Sequence, residues 1–185
     1  MSRVARPARR RGRLILLALV VFLGFNVGVF PLAAARIGAH SRGARPLDLR
    51  FGYSPDTAYA AMGAYGAQGR RAYMWIELTA DVVYPLAYAL LLSLSVAYLF
   101  HRARPESAFG RRAAMLPVGA LVADYFENVG IVVMLARYPE RLDTLARVTS
   151  VVTSVKWVLF GASFAVLVVG VGAFLLARRR GEAVS

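Results

Sequence analysis

The stretch Trp75–Tyr88, WIELTADVVYPLAY, decides how this chain is read, because it places two carboxylates, Glu77 and Asp81, inside a run otherwise apolar enough to cross a membrane. In a helix, Glu77, Asp81, Tyr84 and Tyr88 follow one another at i, i+4, i+7 and i+11, so all four fall on one face. The other apolar runs hold matching polar groups: Asn26 in the first, Asp124, Glu127 and Asn128 in the third, Lys156 in the fourth. An ionisable group facing lipid at mid-membrane costs about 2.5 to 3.5 kcal/mol, so these side chains are expected to face inward, toward one another.

The rest of the composition fits that reading. The chain has 185 residues, 58% of them hydrophobic, with a mean hydropathy of +0.54. That suits one domain and is too apolar for an ordinary soluble one. The expected fold class is all-α: an integral membrane bundle of four transmembrane helices, spanning about 14–35, 72–100, 113–136 and 148–177. Basic tails flank the bundle at 1–13 and 178–185. The net charge of +13 comes from arginines at the ends of the apolar runs, where they orient spans and meet lipid headgroups, so no nucleic acid is expected as a partner. Lys156 is the single lysine among 23 basic residues.

The inventory also excludes chemistry. Cysteine is absent, which removes disulfides, thiol catalysis and Cys-ligated metals. His40 and His101 fall in loops, leaving no imidazole for a triad or a metal site within the spans. Hard cations accept carboxylate oxygens, but no ligand spacing marks a metal site, so neither metal nor cofactor is assigned.

Between the first two spans, Ser54-Pro55-Asp56 has the chemistry of a helix start, and Gly66 and Gly69 are expected to end it. The short helix between them carries Tyr59, Met62 and Tyr65 at i, i+3 and i+6, an aromatic stripe suited to the extracytoplasmic interface, to packing on the span ends, or to a lid over a site. In the second span Pro85 removes the bond to the carbonyl of Asp81, which predicts a kink and a free acceptor there. Asp124, Glu127 and Asn128 share one face of the third span, with Tyr125 and Phe126 turned elsewhere. Residues 137–147 predict a helix start at Pro139 and an Asp143–Arg147 pair. Ser150, Thr153, Ser154, Gly161 and Ala165 predict a close-packing side on the fourth span. The first run, with Ala33-Ala34-Ala35 at its end, reads either as a retained span or as a cleaved secretory signal; its 22 residues favour a span.

Arginine counts set the orientation. The N-terminal tail carries six, the 101–112 loop four and the C-terminal tail three, against six in 36–71 and three in 137–147. This bias predicts cytoplasmic N and C termini. Counted from the outer ends at 1.5 Å per residue, Asn26, Asp81, Glu127, Asn128 and Lys156 all lie about 13 to 15 Å deep, with Glu77 a turn above and Asp124 a turn below. Four carboxylates against one ammonium leave a formal charge of minus three. A low-dielectric pocket does not hold that charge without a proton, a cation or a water-filled vestibule to compensate.

Three functions suit such a layer. The first is an acid/base or binding site for a lipid-like or isoprenoid molecule. In it Asp81, Glu127 and Lys156 are the candidate catalytic residues, and Asn26, Glu77, Tyr84, Tyr88, Asp124 and Asn128 contact the ligand. The second is an interhelical clamp around Lys156, and the third a proton-coupled carrier of a small molecule. Four short spans with inward acids resemble, in outline, the sterol-isomerase and sigma-2-receptor group of four-helix membrane proteins; the resemblance is one of architecture and implies no residue assignment.

Overall fold

The computed structural model describes residues 5–38, 43–104 and 108–182 and, among them, is helical without a strand. His40 and the outermost parts of both tails lie outside the described residues. Seven α-helices follow in chain order: α1 (Ala5–Gly24), α2 (Phe30–Gly38), α3 (Pro55–Leu78), α4 (Ala80–Ala103), α5 (Ala108–Ala113), α6 (Leu116–Arg137) and α7 (Asp143–Glu182). A π-helical turn, Phe25–Val29, joins α1 to α2. Four stretches are long and apolar enough to cross a membrane: Gly12–Ala35, Pro55–Ala103, Ala108–Arg137 and Asp143–Arg179.

Helix α3 starts where the sequence says it does. Ser54 caps it, accepting from the Thr57 amide at 3.1 Å, with Pro55 opening the first turn. Gly66 breaks it with φ 64°, a left-handed conformation only glycine adopts without strain. Helical hydrogen bonding resumes at once, so Gly69 does not end the helix. The Tyr59–Met62–Tyr65 stripe is buried against Leu47, Ile131, Met134, Leu135 and Ala146, capping the bundle. The Tyr59 hydroxyl accepts from the Leu142 amide at 2.5 Å, and that of Tyr65 donates to the Arg45 carbonyl at 2.8 Å.

The second span departs from a continuous helix. It is interrupted at Thr79 (φ −127°, ψ −73°), between Glu77 and Asp81. Thr79 Oγ1 bonds its own preceding turn, donating to the Trp75 carbonyl at 2.5 Å. The break thus falls six residues before Pro85, which lies within α4.

Helices α6 and α7 pack on faces of alternating three- and four-residue spacing: Pro117, Ala120, Asp124, Glu127, Ile131 and Met134 on α6, and Ala146, Thr149, Thr153 and Lys156 on α7. That spacing is the seam of near-parallel helix packing. At its tightest point a Cβ on Gly130 would lie 2.1 Å from Thr149 Oγ1, so only glycine fits there. Three expectations need correction. Gly161 and Ala165 are exposed and lie off this seam. Asp143 pairs with Arg141 at 3.0 Å instead of with Arg147, because Arg141 bridges Asp143 and Asp56. Helix α7 begins at Asp143 and not at Pro139, which sits in a turn.

Candidate functional site

The polar residues of the spans meet in two connected groups beside a cavity. The first group joins α6 to α7. Lys156 Nζ contacts Glu127 Oε2 directly and lies 3.7 Å from Asp124 Oδ1. The other oxygen of Glu127 accepts from Thr153 Oγ1 at 2.6 Å, and Asp124 Oδ2 accepts from the Tyr88 hydroxyl at 3.1 Å. Every member of this group is buried. The α6–α7 seam builds it, since Asp124 and Glu127 stand one turn apart and Thr153 and Lys156 do the same on the facing helix.

The second group comes from three segments. Glu77 closes α3, Asp81 opens α4, and Asp48 belongs to the loop ahead of α3; one carboxylate oxygen from each lies within 4.8 Å of the others. The loop is stitched in place. The Tyr73 hydroxyl accepts from the amides of Leu47 (3.0 Å) and Asp48 (3.2 Å) and donates to Asp48 Oδ1. The Asp48 carbonyl accepts from Trp157 Nε1 at 3.1 Å and Lys156 Nζ at 3.4 Å. Further along, Ser154 Oγ donates to the Phe51 carbonyl at 2.6 Å, and the Tyr53 amide donates to Ser150 Oγ at 2.7 Å. Burial pushes the Tyr53 hydroxyl above its ordinary range, so it is a neutral phenol where the loop meets α7.

Asn128 links the groups: its Nδ2 donates to the backbone carbonyl of Asp81 at 2.9 Å. This is the carbonyl Pro85 leaves without a helical donor, so the acceptor expected from the sequence is present and used.

A cavity of about 260 Å³ adjoins both groups. Asp48, Asp81, Asp124 and Lys156 are its charged lining residues, while Tyr73, Tyr84, Tyr88, Trp157, Phe160 and Phe30 form much of the remaining wall. The first span closes it through Asn26, Phe30, Ala33 and Ala34. Phe22, Phe25 and Phe30 collar the Tyr84 ring at 5.7, 5.8 and 4.7 Å between centroids. Asn26 lies in the π-helical turn, donating to the Phe22 carbonyl at 2.7 Å and approaching the Tyr84 hydroxyl at 3.4 Å.

Of the residues singled out in the sequence, Asn26, Asp81, Tyr84, Tyr88, Asp124 and Lys156 line the cavity. Glu77, Glu127 and Asn128 stand outside its lining, bonded into or packed against the two groups. Tyr125 reaches α4, donating to the Val82 carbonyl at 2.8 Å, and Phe126 is exposed. Sequence reasoning missed Asp48, which lies in a loop without periodicity; its flanking Leu47 and Leu49 in PLDLRFGY were the available signal. Trp157 and Phe160 were missed as well, though they follow Lys156 at i+1 and i+4. No family model matches the chain, and no curated protein or solved structure matches it either.

Proposed function

We propose that the protein is a multi-pass membrane bundle whose cavity binds a lipid-like or isoprenoid molecule, with the cavity-facing carboxylates Asp81 and Asp124 as its acid/base groups. The observation that carries this reading is that Asp81, Asp124 and Lys156 line a cavity with otherwise largely apolar and aromatic walls. A clamp needs its polar groups joined and the space between helices filled. Here Lys156, Glu127 and Thr153 satisfy the clamp, while the cavity leaves charged side chains facing open space. Buried charge beyond what packing needs is a mark of binding and catalytic sites.

The roles divide by position. Glu127, held by Lys156 and Thr153, fixes the ammonium. Asp124, between Tyr88 and Lys156, exchanges a proton with a carbon or oxygen of the ligand, and the Tyr84 and Tyr88 rings hold its apolar part. The arginine bias supports cytoplasmic N and C termini, with the Pro55–Tyr65 helix and its capping loop on the opposite side. A retained first span is supported by its contribution of a cavity wall, which cleavage after Ala35 would remove.

The two tryptophans provide the test. Trp75 is exposed and Trp157 lines the cavity, so Trp75→Phe leaves Trp157 as the sole indole reporter. A short isoprenoid alcohol titrated into this variant in nanodiscs is expected to change its emission saturably, and Ala34→Phe, which fills the cavity, to abolish the change. Emission that changes only linearly with added alcohol, or identically in both proteins, would contradict the proposal.

A further inference from the structure

We propose that Asp48, Glu77 and Asp81 bind one hard divalent cation of the Mg²⁺, Mn²⁺ and Ca²⁺ class at the side of the cavity. Three carboxylates from the loop, the end of α3 and the start of α4 bring one oxygen each within 4.8 Å of the others. That spacing suits a common centre, because two oxygens on opposite sides of a Ca²⁺ at about 2.4 Å are themselves about 4.8 Å apart. An all-oxygen donor set, in a chain without cysteine, selects hard cations.

Glu77 supplies the second, independent observation. It is 1% exposed, and among the described residues neither of its carboxylate oxygens has a hydrogen-bond partner. A buried carboxylate in that condition carries a large desolvation cost. A proton would remove the charge of Glu77 but leave its carboxyl without a hydrogen-bond partner. A cation between the three side chains resolves it. Among the described residues none of the three makes a salt bridge, and the neighbouring ammonium of Lys156 is engaged by Glu127 and Asp124.

The surroundings hold the ligands as a metal site requires. Tyr73 fixes Asp48 through Oδ1, and Trp157 and Lys156 anchor the Asp48 carbonyl. The break at Thr79 lets α3 and α4 present Glu77 and Asp81 to the same point. Asp48 and Asp81 also line the cavity, so open coordination positions face into it. With the ion in place Asp81 is a ligand, and Asp124 is the carboxylate left to exchange a proton with a bound molecule.

The test uses Mn²⁺ as the probe, on full-length protein purified in detergent and stripped with a chelator. Titration followed by the loss of free-Mn²⁺ electron paramagnetic resonance signal is expected to show one site per chain, displaced by excess Ca²⁺ or Mg²⁺. At about a hundredfold excess over Kd, Mn²⁺ should raise the melting temperature by about 5 to 10 °C. Glu77→Gln, which keeps the shape and lies outside the cavity lining, is expected to weaken Mn²⁺ binding at least tenfold; Asp56→Asn, on the surface, should leave it unchanged. Absence of a stoichiometric site in the wild-type protein would overturn the proposal, whatever the variants do. So would equal affinity in wild type and Glu77→Gln. Neither outcome bears on the isoprenoid titration, so the two proposals fail separately.

Discussion

Asn128 of α6 donates its side-chain amide to the backbone carbonyl of Asp81 on α4, 2.9 Å away, and that carbonyl is the one Pro85 strips of its helical partner. One helix repairs the backbone defect of another, at the point where the two polar groups of the bundle meet. Within a bilayer an unpaired carbonyl has no water to turn to, so the repair ties the α4–α6 contact to the proline.

The pairing makes the two positions interdependent. Asn128→Leu should destabilise the protein by about 1 to 3 kcal/mol, because it leaves a buried acceptor unsatisfied. Pro85→Ala restores an amide four residues from Asp81, so Asn128→Leu should cost measurably less in that background. Thermal unfolding of the four proteins in one detergent gives the coupling. Additive losses would show that the carbonyl is satisfied some other way.

Lys156 and Glu127 are in direct contact, with Asp124 3.7 Å from the same ammonium. Removing the ammonium alone, in Lys156→Met, leaves a buried carboxylate uncompensated and should cost about 3 to 5 kcal/mol. Replacing both partners, in Lys156→Met with Glu127→Gln, should recover part of that loss, Asp124 still lacking its ammonium. The comparison of melting temperatures is decisive, since a double variant as unstable as the single one would place the lost energy outside the pair.

The α6–α7 seam is set by Gly130. A methyl group there meets Thr149 Oγ1 at 2.1 Å, so Gly130→Ala should destabilise by about 1 to 3 kcal/mol, and Thr149→Gly in the same chain should relieve part of it. Circular dichroism melts check both, and a neutral Gly130→Ala would mean the helices are further apart than described.

Much of the site was legible because a helix has a fixed rise and a fixed turn. Counting residues from span ends put Lys156 level with Glu127, and the two are in contact. The i, i+3 and i+4 rule put Asp124, Glu127 and Asn128 on one face, and all three are buried. The helix is interrupted at two places: Thr79 breaks it between Glu77 and Asp81, whose carboxylates still come within 4.8 Å, and a π-helical turn shifts the register after Asn26. Asp48 is set by a loop whose path depends on hydrogen bonds to Tyr73 and Trp157, contacts remote in sequence that no local pattern encodes. Gly161 and Ala165 show a further limit, because small residues mark a close contact only when a partner helix passes there.

Native mass spectrometry of the gently solubilised protein, wild type beside Asp81→Asn, tests most directly whether the polar layer serves a ligand. The account predicts a discrete non-protein mass of lipid-like composition on the wild type, absent or much reduced in the variant. A wild-type protein that carries no such mass, or a mass retained equally by both proteins, would contradict it and leave the charged layer as an interhelical clamp.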